Sequence, residues 1–267
     1  MIHIKESIDR VQKQGLTTMP TGLKFLDDSL GGLYPGEMTI ICGDADDGKT
    51  ALMIRQIHRL AIEEEIPVMI VLNGMSERTF LACMTAYYCS IITDDVHRVY
   101  SDIVYKDDVK AYWHILEKKP VYIVDSKDLP EKETVTLKQF VSDHGIKVLF
   151  FEQASCMKIF GWESSKAGFY LKQLAIELQV AVLAEYELWN PNDECPIRFH
   201  FFNEDNFSNF ADNVIGIIDF ANHQVFVDEN GNDLRGYIRM KIMKHKGVVS
   251  SGKDAILAKI ELLCKNK

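Results

Sequence analysis

The sequence predicts an α/β fold with a mainly parallel, twisted sheet flanked by helices, and three observations carry that expectation. Short apolar runs recur along the chain, and helix-like stretches separate them. After Val214–Asp219 the texture changes to short alternating segments with turn residues between them. Strand–helix alternation favours right-handed crossovers between parallel strands, and the closing segments favour hairpins.

Each element has its own reason. Met38–Cys42, Val68–Leu72, Val121–Val124, Val148–Phe151 and Val180–Ala184 are continuous rather than alternating in hydrophobicity, as expected of strands buried on both faces. Thr50–Glu64, Ser76–Ile91, Asp107–Lys118, Thr134–His144 and Ala167–Leu178 show helical spacing. Gln224–Val227, Tyr237–Met243 and Ile256–Leu262, with Glu229-Asn230-Gly231-Asn232 as a turn, predict antiparallel strands at the C-terminal edge. Residues 1–14 predict a separate helix with Ile4, Ile8 and Val11 on one face, ended by Gly15. It either packs on its own domain or reaches a neighbour as an arm. Residues 15–267 then form one domain.

Thirty Lys and Arg against 39 Asp and Glu leave a formal charge of 30 − 39 = −9, which opposes a broad electrostatic grip on nucleic acid. No apolar stretch approaches the roughly 18 residues of a membrane span, and Met1–Lys13 lacks a signal-peptide core. The six cysteines are scattered without a C-x-x-C pair, so reduced thiols in a cytoplasmic protein are expected. Neither H-E-x-x-H nor a Cys/His cluster points to a structural metal.

Gly43-Asp44-Ala45-Asp46-Asp47-Gly48-Lys49-Thr50 fits G-x-x-x-x-G-K-[ST], after a predicted strand and at the head of a predicted helix. The glycines let backbone N–H groups curl inward around phosphates, and the helix N-terminus adds partial positive charge. Lys49 is placed to reach the β- and γ-phosphates, and the Thr50 hydroxyl to bind Mg²⁺. Gly43, Asp46, Asp47, Gly48, Lys49, Thr50 and Ala51 are therefore the expected contacts to ATP. Three carboxylates inside this loop are unusual. Any of them facing the phosphates costs about 1 kcal/mol or more at short range.

Thr21-Gly22-Leu23-x-x-Leu26-Asp27 and Gly31-Gly32-Leu33-x-Pro35-Gly36-Glu37, running into the phosphate loop, resemble the RecA-type ATPase core of DnaB-type replicative helicases. The resemblance continues through Met75-Ser76, Pro120–Asp125, Leu171–Leu188 and Lys244-His245-Lys246-Gly247, and covers about residues 15 to 262. It implies a RecA-like P-loop fold and a ring, usually of six subunits. In such a ring ATP–Mg²⁺ is hydrolysed between subunits and single-stranded DNA is pulled through the centre. The family's N-terminal helical domain, which contacts primase, has no counterpart here, and residues 1–14 fall where its linker helix docks on the next subunit.

Residue by residue, the implied catalytic set is altered. The family's water-activating glutamate falls on Gly74, and glycine neither orients nor deprotonates water. The metal-side aspartate falls on Glu152, a longer carboxylate able to hold Mg²⁺ through water, and the γ-phosphate-sensing glutamine falls on Glu187. The trans-acting arginine falls on Lys246, which keeps the charge without the fork. The DNA-contact loop reads Asn203-Glu204-Asp205-Asn206, with its arginine lost. Lys49, Glu152 and Lys246 are thus the expected catalytic residues, with Thr50 and Glu152 at the metal.

Lys158, Phe160, Trp162 and Lys166 either stack bases or pack internally, and Phe199-His200-Phe201-Phe202 is either core or a partner surface. Three functions stay open. The first is a helicase-like ATP-binding protein of replication or recombination with weak or lost hydrolysis. The second is a non-hydrolysing interaction protein that pairs with a true helicase or another partner, a replication protein among them. The third is a competent motor in which Glu77 or Glu152 activates water.

Overall fold

The computed structural model describes residues 4–6, 18–91, 106–129, 134–154, 164–187, 208–249 and 253–265. Its centre is a nine-stranded sheet: β1 (Met38–Gly43), β2 (Val68–Leu72), β3 (Val121–Asp125), β4 (Val148–Phe151), β5 (Ala181–Glu187), β6 (Asn213–Asp219), β7 (Tyr237–His245), β8 (Val248–Val249) and β9 (Asp254–Ala258). Strand order is β3-β2-β4-β5-β1-β6-β7-β8, with β9 also pairing β7. The pairs from β3 through β6 are parallel, and those made by β7 are antiparallel.

Successive residues of each central strand enter opposite cores. Ile41, Ile70, Phe150, Leu183 and Ile217 pack with α1 (Lys24–Leu30), α2 (Lys49–Ile57) and α3 (Glu77–Cys89). Ile40, Val71, Leu149 and Val182 pack with α5 (Thr134–Asp143) and α6 (Ser164–Leu178). Between them in sequence, α4 (Lys106–Leu116) adds Tyr112 to the first core. Helix ends follow local chemistry: Ser76 caps α3 by accepting the Thr79 N–H at 3.1 Å, and α1 stops at Gly31, whose φ of +79° suits glycine.

Three expectations change. The predicted helix Thr50–Glu64 is α-helical only to Ile57 and continues as a π-helical turn over His58–Glu63. Gln224–Val227 is not a strand. Gln224 adopts φ +59°, and only an isolated bridge joins Val227 to Asp233. The strand expected over Ile256–Leu262 ends at Ala258, and α7 (Ile260–Leu263) follows. That turn buries Leu262 in the α2 core, where Arg55 binds the Glu261 carbonyl. Of the helix expected at 1–14, residues 4–6 are helical with Ile4 exposed, and the rest lies outside the described residues.

His58 opens the π-helical turn, fully buried among Tyr87, Tyr88 and Tyr112. Neither ring nitrogen has a hydrogen-bond partner, and the Glu63 carboxylate stands 3.5 Å from Nδ1. Burial, then the Lys265 and Arg55 cations, push its pKa down to about 4, and Glu63 only partly opposes them. The unfolded chain protonates this imidazole near pH 6.5 and the folded chain resists until about 4. Stability from His58 is therefore present above pH 6.5 and lost as pH falls toward 4, with a slope of at most about 1.4 kcal/mol per pH unit. His58→Phe should flatten the acid limb of denaturant midpoints across that window. An unchanged limb would assign acid sensitivity elsewhere.

Candidate functional site

The phosphate loop joins β1 to α2 at the C-terminal edge of the parallel strands, where open α/β sheets place ligands. Gly43 must be glycine: a Cβ there would lie 2.5 Å from the Ile217 carbonyl oxygen. Gly48 precedes α2 with φ +99° and no side chain caps the helix, so its first-turn N–H groups remain directed into the loop. Lys49 is buried, and its ammonium donates to the carbonyls of Gly43 at 3.0 Å and Asp44 at 2.6 Å.

The acidic residues of the loop have separate fates. Asp46 is exposed with φ +64°, and the Asp44 carboxyl is half-exposed, its pKa raised by burial and then by Asp47. Asp47 is 1% exposed and turns away from the loop mouth toward the end of β6. Its Oδ1 accepts from the Asp219 N–H at 3.1 Å, Asn222 Nδ2 at 3.0 Å and His223 Nε2 at 2.9 Å. Its Oδ2 accepts from the Asp44 N–H at 2.9 Å, and Asn222 also donates to the Ala45 carbonyl at 2.7 Å. Asp44, Asp47 and His223 stand close enough to suggest a cation site, but Asp47 is saturated with N–H donors. The cluster is a clasp that holds the loop to the sheet.

Under α2 two buried acids sit side by side, as the parallel register of β4 and β5 dictates. Glu152 Oε2 accepts three backbone N–H groups of the β2–α3 loop: Asn73 at 2.8 Å, Gly74 at 2.7 Å and Met75 at 3.3 Å. Glu185 accepts the Thr50 hydroxyl on Oε2 at 3.2 Å, and its buried Oε1 has no hydrogen-bond partner. Burial, then the neighbouring Glu152, push the Glu185 pKa up to about 8 against Lys49 and Thr50. The Gln153 N–H offsets part of this without closing a bond to Oε1.

Gly74 is exposed and its φ lies outside the left-handed region, so the backbone does not demand glycine there. A Cβ at Gly74 would meet the Gln153 amide, 2.5 Å from Oε1. Glu77 opens α3 on the surface, and Glu187 pairs in register with Gly43. Lys246 is at the far end of the sheet: β6 begins beside Thr39, at the start of β1, and the β7–β8 turn adjoins that end. There its ammonium lies 4.9 Å from the Tyr34 ring centroid, and its N–H donates to Asn213 Oδ1 at 3.2 Å. The expected residues Gly43, Asp46, Asp47, Gly48, Lys49, Thr50, Ala51 and Glu152 thus gather at one edge, and Lys246 does not join them. Lys158, Phe160, Trp162, Phe199–Phe202 and Asn203–Asn206 lie outside the described residues.

Sequence reading missed Asp219, Asn222 and His223, which no local spacing connects to the loop. It also passed over Glu185, whose signal was an acid inside the apolar run of a buried strand.

No described helix is long and apolar enough to cross a membrane. No curated protein sequence matches the chain. Among solved structures, one described as an ATPase domain is similar at 14% identity and TM-score 0.77, covering 99% of each chain. A DnaB-like replicative helicase, described with its interactions with primase, is similar at 14% identity and TM-score 0.71, over 96% of this chain and 62% of that one. At such identity these neighbours establish the mixed α/β, RecA-like fold, and the chain spans about three fifths of that helicase. Residues 18–192, which hold the phosphate loop, both acidic strand ends and Gly74, match the model described as DnaB-like helicase C terminal domain, and the chain belongs to that family.

Proposed function

We propose that the chain is a helicase-like ATP-binding protein acting in DNA replication or recombination, with ATP hydrolysis weak or lost. One observation carries this reading: an intact phosphate cradle stands beside a glutamate position occupied by Gly74. Backbone N–H groups of Gly48 to Ala51 at the start of α2 and the Lys49 ammonium bind and orient the phosphates. Thr50, with the acids beneath it, supplies the oxygen ligands that Mg²⁺ prefers, and the ion when bound neutralises phosphate charge. Asp47, the acid that threatened repulsion, points away into its clasp.

Lys246 stands too far along the sheet to serve its own phosphate loop, which favours service to a neighbour's in a homo-oligomeric, by family resemblance six-membered, ring. Cytoplasmic location, single-stranded DNA within the ring and a replication-protein partner accompany the reading. Glu187 beside Gly43 favours a second one, a non-hydrolysing interaction protein, because it places negative charge where the family senses γ-phosphate.

The test is ATP binding and steady-state hydrolysis with Mg²⁺, with and without single-stranded DNA, alongside Lys49→Ala. ATP binding that disappears in Lys49→Ala, with turnover barely above background, is the expected result. Strong DNA-stimulated turnover would make the chain a working motor. Failure to bind nucleotide would leave the interaction reading.

A further inference from the structure

Resting on the nucleotide-binding reading, we propose that Glu185, rather than Glu152, is the carboxylate that joins Thr50 in holding the divalent cation of the bound nucleotide. Three features of the site carry this. Glu152 is committed elsewhere: its Oε2 gathers the N–H groups of Asn73, Gly74 and Met75, so moving it to a metal would release three donors together. Glu185 already touches the Thr50 hydroxyl at 3.2 Å, and that hydroxyl is the one the phosphate-loop motif directs at a metal.

The third feature is the state of its second oxygen. Glu185 is 2% exposed, yet Oε1 lies buried with no hydrogen-bond partner. A buried carboxyl oxygen without a donor is costly and calls for a ligand, and a hard cation takes oxygen ligands of this kind. The register explains how it arrives there. Glu185 pairs with Ile41 on β1, two residues before the phosphate loop begins, and shares a sheet face with Leu183, which packs in the α2 core. From that place its side chain rises beneath the first turn of α2. The metal-side acid has in effect moved one strand nearer the phosphate loop, and the former position on β4 now shapes the β2–α3 loop.

The experiment measures the affinity of a fluorescent, non-hydrolysable ATP analogue in Mg²⁺ and in EDTA. Wild type, Glu185→Gln and Glu185→Cys are compared, all in a Cys83→Ser background because that thiol lies within electrostatic range of Glu185. Mg²⁺ should tighten binding to wild type, and Glu185→Gln should lose about tenfold of that tightening, the scale on which even outer partners of metal ligands act. Its affinity in EDTA should hold, since burial and Glu152 already push the metal-free Glu185 carboxyl toward its neutral form. In Glu185→Cys, Cd²⁺ should restore the tightening and Mg²⁺ should not, because a thiolate prefers the softer ion. A merely structural carboxyl would not produce that exchange of metals.

Glu185→Gln with the wild-type Mg²⁺ effect overturns the assignment, as does a cysteine variant indifferent to Cd²⁺. Wild type that binds nucleotide equally in Mg²⁺ and EDTA overturns it alone. Wild type that binds nucleotide under neither condition removes the nucleotide-binding reading and this assignment with it.

Discussion

Gly74→Glu should raise ATP turnover by about 100-fold or more, within the range a positioned general base contributes. The backbone at Gly74 is in an ordinary conformation, so an L side chain meets no φ penalty. Its N–H is already pinned by Glu152 at 2.7 Å, which keeps the loop in place whatever side chain it carries. The obstacle is the end of one flexible side chain, the Gln153 amide, which can swing aside. Phosphate release by wild type, Gly74→Glu and Gly74→Glu/Lys49→Ala checks the result, with the last returning to background. If Gly74→Glu binds ATP normally and hydrolyses no faster, the missing glutamate is not what limits catalysis, and Glu187 becomes the next suspect.

Asp47→Ala should destabilise the fold by about 3 kcal/mol or more, because each buried donor left without its acceptor costs about 1–3 kcal/mol. The lost carboxylate strands the His223 ring, the Asn222 amide and the N–H groups of Asp44 and Asp219 at once. Denaturant unfolding should show a lower midpoint at unchanged slope, together with weaker nucleotide binding because the loop is no longer held to β6. Asp46→Asn, at an exposed position that tolerates left-handed backbone, should shift stability by no more than about 0.5 kcal/mol. Equal, small effects for the two variants would mean that the clasp contributes nothing.

The same contrast shows where sequence reasoning reaches and where it stops. Five of the six strands in the parallel part were legible because burial on both faces leaves continuous apolar runs, and the phosphate loop because its glycines and lysine sit at fixed spacing. Asp44, Asp46 and Asp47 were visible as an anomaly, but direction was not: only tertiary contact with His223, far along the chain, shows that Asp47 faces inward. Glu185 needed the β4–β5–β1 register, which brings strands distant in sequence side by side. The C-terminal misreading has a plain cause. Ile256, Leu257, Ala258 and Leu262 form a short apolar stretch that suits either period, and packing of Leu262 beside α2 decided for a helix.

Strand β6 has a mechanical consequence. Its first residue, Asn213, holds the Lys246 N–H and the His245 ring, and the N–H of its last, Asp219, holds Asp47 of the phosphate loop. Seven extended residues span about 20 Å, with β1 paired along Asn213–Gly216 and β7 along Val214–Asp219, the latter with a register shift between Val214 and Ile215. β6 therefore acts as a tie between the two ends of the sheet. A shift of the phosphate loop along the strand axis has a direct route through the covalent backbone of β6 to the lysine-bearing turn, interrupted only by the register shift at Val214 and Ile215.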